Sequence, residues 1–154
     1  MRRLTAAACC VVLLAGSSAS LPARESKFDE FEFRGCQRMI SRLDNFAAAL
    51  TDPISPQLHG LIRVYGGRKV ERGEVQLYIQ RIREYLIARR PVDPRRFDVT
   101  FGGYREKAGA DLFVFVQGVT PREATPTVSE KEVVFRKGAF KASRLDCART
   151  PSAK

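Results

Sequence analysis

The chain has 154 residues, 44% hydrophobic and 29% charged, with no Trp. That is one domain's worth of ordinary globular sequence, and it excludes both a polytopic membrane protein and a disordered tail. Its 27 Lys and Arg against 17 Asp and Glu give a net charge of +10, which favours a polyanionic partner: nucleic acid, acidic lipid or an anionic wall polymer.

The first residues read as a secretory signal peptide, with Arg2 and Arg3, an apolar run from Leu4 to Ala15 and the small polar stretch Gly16, Ser17, Ser18, Ala19, Ser20. The apolar run is shorter than the roughly 20 residues that a membrane span needs. Residues 1–19 are therefore expected to be removed, leaving a mature protein without a transmembrane segment, in the periplasm or outside the cell. Loss of Arg2 and Arg3 leaves the exported chain strongly basic, and export away from the genome argues against a nucleic-acid partner. Of the four cysteines, Cys9 and Cys10 go with the signal. Cys36 and Cys147 remain in an oxidising compartment and are expected to form a disulfide. For a loop of this order the chain-entropy account assigns such a bridge about 4.7 kcal/mol.

Residues 20–27 read as a charged, mobile lead-in. Phe31-Glu32-Phe33-Arg34 alternates as a short first strand. From Cys36 the period lengthens, and Cys36, Ile40, Leu43, Ala47 and Leu50 mark an amphipathic helix that Pro53 and Pro56 end. Leu61 to Tyr65 reads as a buried strand closed by Gly66-Gly67, with a basic loop following from Arg68 to Gly73. A second helix runs from Glu74 to Arg90, with Val75, Tyr78, Ile79, Ile82 and Leu86 on one face. Arg81, Arg83, Arg89 and Arg90 lie largely around its other side as a solvated face, with Glu84 placed to pair. Arg96 to Phe101 alternates as a strand, Gly102-Gly103 reads as a turn, and Asp111 to Val116 is a last core strand. The order is βαβαββ: an α/β (α+β) two-layer sandwich, a mixed sheet with two helices on one face. Residues 28–117 form the domain. Residues 118–154 form a Thr/Pro linker and basic tail, with Glu132 to Arg136 as a possible edge strand and Cys147 stapling the tail back.

Several stretches of this chain resemble the OmpA-like carboxy-terminal domain family, periplasmic modules that bind peptidoglycan. The carriers are Phe31-Glu32-Phe33, Leu43-Asp44-Asn45-Phe46-Ala47, Ile62-Arg63-Val64-Tyr65-Gly66, Arg83-Glu84-Tyr85-Leu86, Val92-Asp93-Pro94-Arg95-Arg96-Phe97 and Gly102-Gly103-Tyr104. The resemblance implies a non-catalytic envelope module without a cofactor. In the family an Asp after the second strand pairs the ammonium of diaminopimelate, and an Arg near the last strand grips its carboxylate. At the matching positions this chain has Gly66-Gly67-Arg68-Lys69, without an acid, and Gly109 or Ala110, without an Arg.

The strongest local chemistry in the sequence is the Gly66 to Gly73 loop. It leads into a helix N-terminus, where free N–H groups favour an anion, and Arg68, Lys69 and Arg72 add charge. Tyr65 and Tyr104 flank the glycine-rich turns and could stack on a sugar ring, or simply fill the rim of the core. The expected partner is peptidoglycan or another anionic envelope component, with an envelope protein as the alternative. No metal site is expected, since His59 is the one histidine and no His or Cys cluster has ligand spacing. Asp98 and Asp111 could approach each other on adjacent strands, but strand alternation also explains them as solvent-facing residues.

Overall fold

The computed structural model describes residues 26–119 and 121–139. Its strands are β1 (Ser26–Glu32), β2 (Leu58–Gly67), β3 (Lys69–Arg72), β4 (Phe97–Arg105), β5 (Gly109–Val116) and β6 (Val134–Ala139). Its helices are α1 (Cys36–Thr51) and α2 (Glu74–Ala88). Four strands form a mixed sheet in the order β1-β5-β2-β4, with β5 antiparallel to both neighbours and β2 parallel to β4. Both helices pack on one face of it, so the four-stranded core has the expected βαβαββ order and two-layer α+β architecture. A second, two-stranded parallel sheet pairs β3 with β6.

Alternation along each strand divides the side chains between the two faces. Ile62 and Val64 of β2, Phe97 and Val99 of β4, and Ala110 and Leu112 of β5 meet Leu43, Phe46, Leu50, Ile82 and Leu86 of the helices in one core. The opposite face carries Leu61, Phe113 and Phe115 as a smaller apolar cluster, together with the buried polar residues Arg63 and Asp111. The helices are also clasped at their polar edge. The Tyr85 hydroxyl donates to Asp44, and Arg90 forks the same carboxylate through Nε at 2.6 Å and its NH2 group.

The structure corrects four expectations. First, β1 begins at Ser26, within the expected lead-in, because β5 is long enough to pair it from Val114 onward. A register shift between Lys27 and Asp29 lets Phe28 and Phe31 both face the helices although they are an odd three positions apart. Secondly, the Gly-Gly pairs are not turns. Gly66-Gly67 continues β2, and Gly102-Gly103 sits inside β4, where the register slips between Val64/Phe101 and Gly66/Tyr104. Gly102 leaves room for the Tyr65 ring, which a Cβ would approach at 2.6 Å, and Gly103 takes a positive φ of 96°. The chain reverses instead at residues 106–108. Thirdly, the basic loop is strand β3. Fourthly, the expected edge strand from Glu132 to Arg136 begins later, at Val134, and joins β3. Residues Glu130–Glu132 form a 3-10 turn, and β6 follows and pairs β3.

Residues 1–19, expected to be a signal peptide, and Cys147, and with it the expected Cys36–Cys147 disulfide, lie outside the described residues. Among the described residues, no helix is long and apolar enough to cross a membrane.

Gly60 of β2 lies beneath α1, where an added Cβ would fall 2.5 Å from the Phe46 ring and 2.8 Å from Leu50. Both side chains are fully buried and cannot swing aside. Gly60→Ala is therefore expected to destabilise by about 1–3 kcal/mol through overpacking, read as a lower urea midpoint with an unchanged m-value.

Candidate anion-binding groove

The sequence-predicted residues do not converge on one site. Arg68 follows β2, and its guanidinium forks Glu106 through Nε and NH2 at 2.6 to 3.1 Å, with Glu132 at 3.7 Å. Hydrogen bonding to Arg68, ahead of its charge, holds the Glu106 carboxyl below its ordinary range. Lys69 and Arg72 are exposed on β3. Tyr65 and Tyr104 occupy opposite faces of the sheet. Tyr65 is fully buried on the outer face, while Tyr104 packs toward the helices, against Phe101 and Phe135.

Tyr65 instead belongs to a polar clasp built around Asp111. Asp111 is 2% exposed on the outer face of β5. Arg105, at the end of β4, forks it through NH1 at 3.1 Å and NH2 at 2.6 Å, and Lys27 of β1 reaches it at 3.2 Å. The Arg105 guanidinium lies 3.5 Å from the centre of the Tyr65 ring. It also donates to the Thr125 carbonyl and hydroxyl, and Thr125 N–H donates to the Tyr65 hydroxyl at 3.3 Å. The stretch around Thr125 is thereby fastened to the outer face, and Val128 bridges Tyr104 next to it. Asp98, expected near Asp111, is separated from it by β2 and faces His59 Nε2 at 3.0 Å.

Beside this clasp, where the end of β1 meets the start of β5, a groove of about 600 Å³ opens. Its lining brings together the cations Arg34, Arg38, Arg42, Arg105 and Lys107 and the acids Glu30, Glu32, Glu106 and Asp111. The acids are already engaged. Glu32 holds Arg34 at 2.7 Å and Lys107 at 3.2 Å, Glu30 takes Lys27, and Asp29 takes Arg42. Arg38 makes no ion pair or hydrogen bond among the described residues. The first turn of α1 adds to the positive field: its N-cap Gly35 supplies no side-chain cap, and no acid follows in that turn. The groove can therefore take a carboxylate or phosphate oxygen on Arg38, with Arg34 and Lys107, which share Glu32, lining it nearby. Part of the signal was in the sequence: Arg38 and Arg42 lie four residues apart on one face of α1, and Arg34 stands just before its N-cap Gly35.

Among the described residues, no three His, Cys, Asp or Glu side chains are grouped to hold a metal ion. No protein-family model matches the chain, and neither a curated protein nor a solved structure matches it.

Burial alone would push the Asp111 carboxyl up, but hydrogen bonds and charge from Arg105, then Lys27, outweigh it and hold it below its ordinary value of 3.8. Such a group contributes stability that is complete above its unfolded pKa and is lost as the pH falls through its lower folded value. Asp111→Asn is expected to cost about 3–5 kcal/mol at neutral pH, because Arg105 loses its partner. Denaturation midpoints of the two proteins should converge as the pH is taken below about 3.8; a gap independent of pH would show that the carboxylate charge is not what the clasp uses.

Proposed function

We propose that the chain is an exported, non-catalytic cell-envelope module of OmpA-like fold that contacts peptidoglycan or another anionic envelope polymer. The reading rests on the groove lined by Arg34, Arg38 and Lys107, because Arg38 has no carboxylate partner among the described residues and lies beside a helix start that favours anions. The +10 charge of the chain points the same way. So does the order of the four-stranded core, which is the order that the resemblance implies. In this arrangement Arg38 grips a carboxylate through a charge-assisted fork, the role that an Arg near the last strand plays in the family. Glu30 and Glu32 line the same groove, each already paired with a cation of the chain.

A second reading, an envelope module that docks another protein, has one observation of its own. Phe101, Val134 and Phe135 are large apolar side chains left about half exposed. Phe101 and Phe135 flank a pocket of about 120 Å³ between β3, α2 and β4. Apolar groups gathered at a pocket mouth are typical of a protein contact.

Co-sedimentation with purified peptidoglycan sacculi across a salt series separates the two. Binding by the groove should fall as salt rises, since exposed charges are screened over about 8 Å at physiological ionic strength. An Arg34→Ala, Arg38→Ala, Lys107→Ala variant should bind roughly tenfold more weakly or less still, while Lys69→Ala with Arg72→Ala should bind as the parent does. Binding that ignores the groove variant removes the groove from the reading. Absence of binding at low salt removes the wall contact and leaves the apolar pocket as the surface to pursue.

A further inference from the structure

Arg63 is the one buried cation of the main sheet that the clasp and the groove leave unused. It lies on the central strand β2, on the outer face, between Asp111 of β5 and Thr100 of β4 in register. The residue is 9% exposed, and its NH1 group is buried without a hydrogen-bond partner. Both oxygens of the nearest acid in register are taken: Asp111 Oδ1 by Arg105 and Lys27, and Oδ2 by Arg105. The Arg63 guanidinium turns instead over the Phe113 ring, 5.5 Å from its centre. A ring face offsets part of a cation's desolvation but accepts no second N–H fork. Arg81 also leaves a buried Nε unpaired, but its NH1 donates to Glu84 at 3.0 Å, so its charge is compensated. Among the described residues Arg63 has no such acid.

A guanidinium cannot give up its proton to escape burial, as a lysine or histidine would. A buried charge therefore needs a counter-charge, and a buried donor needs an acceptor. On this face Arg63, Arg105 and Lys27 gather around the single buried acid Asp111, with Glu30 paired to Lys27 at the rim. The cluster is one negative charge short. We infer that Arg63 is an oxyanion-binding residue, completed by the carboxylate or phosphate group of a small ligand that reaches it from the outer face. A carboxylate or phosphate presents two acceptor oxygens to the fork, supplying both the charge and the hydrogen bonds that Phe113 cannot. The site is separate from the groove, whose walls do not include Arg63, so it stands whether or not the protein contacts the wall.

Thermal melting and nitrogen-15 spectra of the arginine side chains test the assignment. Inorganic phosphate and acetate are titrated separately against chloride at fixed ionic strength, which also tells which oxyanion the site prefers. The melting temperature of the parent should rise and saturate with one of them. The Arg63 Nε–H resonance, assigned by its loss in Arg63→Met, should shift along the same curve. Arg63→Met should melt higher than the parent without added anion, because an unpaired buried charge has been replaced by an apolar chain of similar reach, and it should not respond to the titration. Arg63→Lys, which keeps the charge and loses the fork, should bind the anion about tenfold more weakly or less still, and it carries the test if the methionine variant does not fold. A parent that responds to neither anion, or a methionine variant that responds as the parent does, overturns the inference and leaves water as the acceptor on NH1.

Discussion

A carboxylate withdrawn from water must be surrounded, and Asp111 imposes that requirement on the whole outer face of the sheet. The alternation of β5 places it there, opposite Leu112 and Ala110, which the helix-side core needs. Once there, it draws Arg105 from the end of β4 and Lys27 from the start of β1, thereby tying together strands from both edges of the sheet across β5 and β2. Arg105 in turn covers Tyr65 and holds Thr125. The interaction is a weak source of net stability, since a buried ion pair repays desolvation with little left over. Its consequence is geometric: it fixes where the chain beyond β5 can run.

That geometry separates two kinds of chemistry. The helix face is closed by apolar side chains from β1, β2, β3, β4, β5, α1 and α2. Cations collect at the end of the sheet and on its outer face, where arginines from α1, β2 and β4 stand close to too few acids. The proposed wall contact and the inferred oxyanion site are two expressions of one imbalance, solvated at the groove and buried at Arg63.

Much of the architecture was legible in the chain. The apolar spacing of α1, the Pro53 stop, the face of α2 and the alternation of β5 each report a local period, and local periods survive folding. What escaped depended on neighbours distant in sequence. Gly102-Gly103 reads as a turn by composition, but the Tyr65 ring from the adjacent strand needs its space, so the pair became a slip in register within a strand. Arg68 to Gly73 reads as a basic loop because its partner strand lies more than sixty residues further on. Likewise, Tyr65 looked like a binding aromatic beside a glycine turn. Its role as the floor beneath Arg105 exists only once β4 has returned beside β2. The arginine pair Arg38 and Arg42 of α1 was visible as spacing, but its meaning depended on the β4–β5 reversal that lines the same groove.

The small β3–β6 sheet has a consequence for how the molecule breathes. Its two strands are parallel, contribute four and six residues, and have no third strand among the described residues to share their burial, although isolated two-stranded pairs are marginal in water. Val70 is its one deeply buried core member, whereas Val134 and Phe135 remain half exposed. The sheet can therefore detach while β2, β4 and β5 stay paired, so its amides should exchange with solvent through a local opening far cheaper than global unfolding. Release of β6 would bare the inner edge of β3 and the aromatic pocket beside it together, making exposure of that pocket a property of a minor state as well as of the ground-state surface.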